Sequence, residues 1–194
     1  MPITISEPEL RQAARVFLMP RLETPVDILV DELCMPDGGT RVDLALINGH
    51  VEAFELKSDH DSLRRLPTQV EGYAPYFDRI TLITTCRFSD KVVPVIPNWW
   101  GILVAVAVRG KIALRWQRRA KINPDRNFEK QCHFLWKEDL IQLSRIYAPN
   151  AKGRYAMAKH VLASEVTAQG VSRRLKSDMR TLLKARIAGL AKLR

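Results

Sequence analysis

The chain has 194 residues, of which 46% are hydrophobic and 27% charged, enough for a packed core and too apolar for wholesale disorder. Its formal net charge is +10, and its longest apolar run, Trp99 to Val108, is about half of the ~20 residues that a bilayer-spanning helix needs. No basic stretch leading into an apolar one opens the sequence, so the expectation is a cytoplasmic protein with no secretory signal and no membrane partner. Cys34, Cys86 and Cys132 stand apart with no Cys-x-x-Cys pair, which reads as reduced thiols, neither a disulfide framework nor a zinc site.

In chain order, Ser6-x-x-Glu9 forms a capping box with Pro8 in the first turn, which starts a helix at Ser6 that stops before Pro20. Val26 to Leu33 is apolar and β-branched enough for a strand, with a helix end as the alternative. Val42, Leu44 and Leu46 then alternate with Asp43, Ala45 and Ile47, Asn48-Gly49 signals a tight turn, and His50 to Lys57 runs extended, which together predict a β-hairpin. Leu66, Val70, Tyr73 and Phe77 are spaced for the buried face of a helix over about 67–77, which Pro75 kinks or ends early. Ile80 to Thr85 is a further strand. Strand, helix and strand over this length imply a right-handed parallel crossover, hence a mixed sheet and the α/β class. Trp99 to Val108 and Lys111 to Trp116, joined through Arg109-Gly110, read as a second hairpin. Helical patterns continue over Phe134 to Ile146, Arg154 to Val166 and Val171 to Leu193, the last two separated at Gln169-Gly170.

Charge divides the chain unevenly. From Ala148 onward eleven Lys and Arg oppose only Glu165 and Asp178, so nearly all of the net positive charge lies there. This sets an expected boundary, with residues 1–147 as the main domain and 148–194 as a basic helical extension. A near-neutral body with a basic tail suits a polyanion, because cations set against phosphates release condensed counterions. A solvated helical face explains the same charge equally well.

The chemistry concentrates between Asp43 and Tyr73. Residues i and i+2 of a strand share a face, so Glu55 and Lys57 emerge side by side with Leu56 turned to the core. A carboxylate beside an ammonium, with Asp43 on the neighbouring strand, suits phosphodiester hydrolysis: two carboxylates and a backbone carbonyl bind a hard cation such as Mg2+. The metal activates water, and the lysine orients or deprotonates that water or offsets developing charge. Alone, such charges also decorate the solvated face of many hairpins. Gln69 and Tyr73, one helical turn apart on the next helix, would line the same spot or else fill the core. The geometry carries a condition: a two-residue Asn48-Gly49 turn would put Asp43 on the face opposite Glu55. A site therefore requires a three-residue loop, Ile47-Asn48-Gly49 with Gly49 left-handed, or a β-bulge between the acids.

As a set, Asp43…Glu55-Leu56-Lys57 and Gln69-Val70-Glu71-Gly72-Tyr73 resemble the PD-(D/E)XK nuclease superfamily, in the branch with a QxxxY motif on the following helix. A nearer likeness is to uncharacterised bacterial and phage proteins of that superfamily. It rests on Glu32-Leu33, Arg41-Val42-Asp43-Leu44-Ala45, Glu55 to Asp59, Leu63 to Tyr73, Phe77 to Leu82 and Pro97 to Gly101, and covers roughly Pro2 to Val106. The resemblance implies a restriction-endonuclease-like mixed β-sheet core flanked by helices and a nuclease acting on DNA with Mg2+ or Mn2+. It implies Asp43 and Glu55 as metal ligands, the Leu56 carbonyl as a third, Glu32 as an upstream acid completing the set, Lys57 as the catalytic lysine, and Gln69 and Tyr73 lining the site. Val42 stands where the superfamily usually has proline. The superfamily also contains members that bind without cutting, so a catalytically inactive nucleic-acid or protein binding module is the alternative function.

Other residues carry weaker signals. Asp59, His60 and Asp61 read as a solvated loop or a further ligand, and Cys132-His133 lacks partners at ligand spacing. Trp99 and Trp100 anchor a buried strand or stack on bases. Arg115, Arg118, Arg119 and Lys121, and in the tail Arg173, Arg174, Lys176 and Arg180, are candidate phosphate contacts or plain surface.

Overall fold

Alternation in Val42–Ile47 and His50–Lys57 sets the centre of the architecture, a hairpin around which the other strands are laid in sequence order. A computed structural model describes residues 4–108 and 110–191. The turn residue Arg109 and residues 192–194, the end of the expected last helix, lie outside the described residues, as does Pro2.

The chain divides after Asp125 into two compact units, Met1–Asp125 and Arg126–Arg194. The first is α/β. Helix α1 (Glu7–Leu18) and a 3-10 turn (Met19–Arg21) lead into β1 (Ile28–Cys34), β2 (Arg41–Ile47) and β3 (Val51–Lys57). Helix α2 (Leu66–Tyr73), β4 (Arg79–Thr85), β5 (Gly101–Val108) and β6 (Lys111–Arg118) complete it. The six strands form one mixed sheet in the order β1-β2-β3-β4-β5-β6. The β3–β4 and β4–β5 pairs are parallel and the others antiparallel.

The capping box at Ser6 forms as expected, with Ser6 N–H and hydroxyl both donating to Glu9. Helix α1 presents Leu10, Ala14 and Leu18 to one sheet face, where they pack with Leu44, Leu46, Phe54, Leu56, Ile83 and Leu103. Helix α2 ends at Tyr73, before Pro75, because proline offers no N–H and clashes with the preceding turn. Its buried face is Leu66, Gln69 and Tyr73, so Gln69 takes the inward position that the spacing gave to Val70. β5 begins at Gly101, two residues later than expected. A Cβ there would lie 2.8 Å from Thr81 Oγ1 and 2.9 Å from the Ala120 amide nitrogen, so only glycine permits this approach.

The second unit is helical: α3 (Phe128–Cys132), α4 (Lys137–Tyr147), α5 (Lys159–Thr167) and α6 (Arg173–Ala191). Sequence periodicity missed the single-turn α3. The charge balance set the expected division at Ala148, whereas the compact units divide after Asp125, and α4 packs on α5 and α6 and groups with those later helices. Leu175, Met179 and Leu183 turn one face of α6 inward, while Arg173 and Arg174 are exposed. No helix among the described residues is long and apolar enough to cross a membrane.

Candidate active site

The parity condition is met. β2 and β3 pair as Leu44 with Phe54, Leu46 with Glu52 and Ile47 with Val51, which leaves a three-residue loop, Asn48–His50. The loop lies one residue later than expected, and Gly49 is not left-handed. The Asn48 side chain explains both, because its Oδ1 accepts the His50 amide at 3.1 Å and closes the turn that a left-handed glycine would otherwise make. In this register Asp43, Glu55 and Lys57 share the sheet face opposite α1, the face against which α2 lays Gln69 and Tyr73.

Glu55 is the hub. Lys57 Nζ lies 2.7 Å from its Oε1, Gln69 Nε2 donates to the same oxygen at 2.5 Å, and Tyr73 OH lies 3.0 Å from Oε2. Only 2% of Glu55 and 3% of Lys57 is exposed. Tyr73 OH also lies 2.9 Å from the Arg41 carbonyl, so its single proton serves one acceptor at a time. The Tyr73 ring stacks on Trp100 at 6.5 Å, and Trp100 is fully buried, which places it in the core and out of reach of a base. With Nε2 committed to Glu55, Gln69 Oε1 is left buried without a partner, a hydrogen-bond acceptor at the cleft wall.

Asp43 is held differently. The β2–β3 pairing stops at Leu44 and Phe54, and beyond it Asp43 Oδ2 accepts the Leu56 amide at 2.7 Å. Arg11 on α1 reaches the other oxygen at 3.3 Å and the Asp43 carbonyl at 2.9 Å. Glu32 lies across from Asp43 on β1, but its carboxylate pairs with Arg41 at 2.7 Å and is about half exposed. The Leu56 side chain sits in the apolar cluster beneath α1, so only its main chain can face the site.

These groups line a cleft of about 620 Å3 that includes Glu32, Asp43, Glu55, Lys57 and Gln69, with Cys34 at the end of β1, Gly38 and Thr40 from the β1–β2 loop and Arg65 and Thr68 from α2 and its cap. Burial pushes the Asp43 carboxyl above its usual range, against the Leu56 amide and Arg11. Burial also raises Glu55, and the neighbouring Asp43 charge raises it further, only partly offset by Lys57. The Tyr73 phenol is pushed far above its ordinary value by burial and by Glu55, so it remains a donor.

Two like charges that resist ionising together form a site whose electrostatics a divalent cation would relieve. Among the described residues no three His, Cys, Asp or Glu side chains are grouped to hold a metal. Two carboxylates with main-chain oxygen nearby nevertheless fit Mg2+, which takes one or two carboxylates and fills the remaining positions with water and substrate phosphate.

Several of the remaining candidates are held by structural contacts. Asp59 accepts Ile5 N–H at 2.7 Å and Thr85 hydroxyl at 2.6 Å, and Asp61 accepts Ser58 N–H and hydroxyl. Arg118 is tied to the Trp100 and Pro97 carbonyls, and Arg119 lies over the Trp116 ring. Arg11 was missed in the sequence, because a Glu7-x-x-x-Arg11 pair reads as an ordinary solvated helix contact.

A family model described as Bacteriophage P4 protein cII matches residues 4–189. Protein cII of Enterobacteria phage P4 is 26% identical over 119 residues, covering 61% of this chain and 45% of that protein. The chain thus spans less than half the length of this curated relative. A solved protein of unknown function from Silicibacter pomeroyi superposes over 75% of this chain and 94% of its own, with a TM-score of 0.42 and 19% identity.

Proposed function

The chain belongs to the bacteriophage P4 protein cII family, and we propose that it is a Mg2+- or Mn2+-dependent nuclease of restriction-endonuclease-like fold that hydrolyses phosphodiester bonds of DNA. The observation that carries this reading is the convergence of Asp43, Glu55 and Lys57 on one sheet face in a cleft open to solvent, with Gln69 and Tyr73 above them. Asp43 and Glu55 would hold the ion, with the Leu56 carbonyl beside them. An ion held there would supply activation of water and neutralisation of charge on a scissile phosphate.

The protein's own groups do the rest. Lys57, anchored on Glu55, presents an ammonium against the charge that grows on the phosphate oxygens as water adds to phosphorus and the ester bond breaks. Gln69 Oε1, lacking a partner, accepts a hydrogen from the incoming water or the substrate. Tyr73 and Gln69 fix the Glu55 rotamer. Arg65 and Thr68 beside the cleft supply phosphate contacts, which position nucleic acid without reading its sequence, and the basic residues of the second unit add sequence-independent affinity.

One observation favours the alternative of an inactive binding module: Glu55 and Lys57 satisfy each other in a nearly closed pair. Incubation with supercoiled, linear and single-stranded DNA in Mg2+ or Mn2+ decides between them. Metal-dependent cutting that disappears in Asp43→Ala and Lys57→Ala supports the enzyme. Absence of cutting, with DNA binding unchanged when both acids are neutralised, supports the module.

A further inference from the structure

The carboxylate of the upstream acid, Glu32, is paired with Arg41 at 2.7 Å. Glu32 has φ +51°, the one left-handed non-glycine among the described residues. A long side chain in that region is disfavoured by contact between Cβ and the following carbonyl, and such outliers persist where surrounding structure enforces them. Its carboxylate does not supply the enforcement, since it is directed to Arg41 in a pair more than half exposed on both sides.

The consequence lies in the ladder. Asp31 pairs with Leu44 and Leu33 with Val42, so the β1–β2 register is unshifted and no residue is inserted. The pair missing between them is Glu32 with Asp43. At this break Arg11 enters: its Nη1 donates to the Asp43 carbonyl at 2.9 Å and its Nη2 reaches Asp43 Oδ1 at 3.3 Å. Glu7 at 2.6 Å from Nε and Asp31 at 3.3 Å from Nη1 orient the guanidinium. On the other side the Leu56 amide fixes Oδ2. Asp43 is therefore clamped by contacts that stand where ladder bonds would run, and the clamp depends on the backbone at residue 32.

We propose that Glu32 serves the cleft through its backbone, as a positioning residue whose left-handed turn breaks the β1–β2 ladder at Asp43 and admits Arg11, and that its carboxylate is not a metal ligand. This rests on the nuclease reading for the metal but concerns different atoms. Side-chain and backbone roles separate cleanly. Glu32→Gly keeps the left-handed turn and deletes the carboxylate, Glu32→Gln keeps the side chain and deletes the charge, and Glu32→Val opposes the turn because it is β-branched.

The test is titration of the whole 194-residue chain with Mn2+ alone, followed by the electron paramagnetic resonance of free Mn2+, beside thermal melts. Glu32→Gly and Glu32→Gln should bind Mn2+ within about twofold of wild type, while Glu32→Val and Arg11→Met weaken it about tenfold or more, as loss of an outer-shell partner does. Glu32→Gly should also raise Tm by about 2–4 °C, because glycine relieves the left-handed strain. If Gly and Gln variants lose Mn2+ as severely as Asp43→Asn does, the carboxylate is a ligand and the proposal is overturned. Wild-type affinity in Arg11→Met overturns it as well, whether or not Glu32→Val folds. A wild type that takes up no Mn2+ overturns the nuclease reading and this inference together, whereas a wild type that binds with the variant order reversed overturns the inference alone.

Discussion

The two faces of β3 are built from alternate residues of one seven-residue strand, and every one of the seven is buried. Toward α1, Phe54 and Leu56 join an apolar cluster that needs no partner, and only Glu52, at the hairpin end of that face, is buried against the cations of Arg21 and Arg79. Toward α2, Glu55 and Lys57 are buried as deeply, yet each requires a counter-charge or hydrogen bond to remain there. Burial is favourable on the first face at about 25 cal/mol per Å2 and costly on the second, where removal from water is offset only by pairing. A strand that accepts this cost on one side while securing itself on the other separates stability from chemistry by a single step in sequence.

The sharpest way to break that separation is to mutate each face. Asp43→Ala or Lys57→Ala should reduce metal-dependent DNA cleavage by about 10^3-fold or more, measured as nicking of supercoiled plasmid, with the fold retained by circular dichroism. Undiminished cutting would place the chemistry elsewhere. Phe54→Ala, one residue from Glu55 and facing the other way, should cost about 3–5 kcal/mol of stability in a denaturant melt while cleavage per folded molecule persists. Equal loss of both would mean that the two faces are one functional unit.

Acidity sharpens the same contrast. Asp43 and Glu55 must ionise to take a metal, and both have raised pKa values, by burial first and for Glu55 also by Asp43. Mn2+ affinity should therefore fall on acidification from a midpoint above the ordinary carboxylate value of about 4. The metal-free protein should move the opposite way. A carboxyl raised in the folded state contributes stability below its unfolded pKa and loses it as pH rises through the folded value, so these two groups favour mildly acidic over neutral solution. Melts across this range, with and without Mn2+, read the crossover, and a metal-free protein most stable at neutral pH despite these groups would refute it. The smallest effect belongs to Tyr73→Phe. Loss of one hydroxyl leaves the Arg41 carbonyl and Glu55 Oε2 competing for fewer donors, at about 1–2 kcal/mol by calorimetry, with cleavage reduced and not abolished.

The hairpin, the crossover and the convergence of Asp43, Glu55, Lys57, Gln69 and Tyr73 were legible because alternation and i+4 spacing are local rules that the sheet and α2 obey. The loop position was off by one because an Asn side chain closed the turn in place of a left-handed glycine. Gln69 displaced Val70 from the buried face because a partner carboxylate, invisible to hydrophobic periodicity, draws it inward. Arg11 and the backbone of Glu32 were illegible for a deeper reason. Their roles arise from contacts across 32 residues and from a dihedral angle, neither of which leaves a pattern in composition or spacing.

The three thiols offer a built-in chemical footprint. Cys34 is exposed on the wall of the cleft, Cys86 is exposed on a separate cavity, and Cys132 is buried with its thiol pushed up to about 12. Alkylation kinetics on the unmodified protein would thus carry their own reference. An occupant of the cleft should slow labelling at Cys34 while leaving Cys86 unaffected, and Cys132 should react only on unfolding.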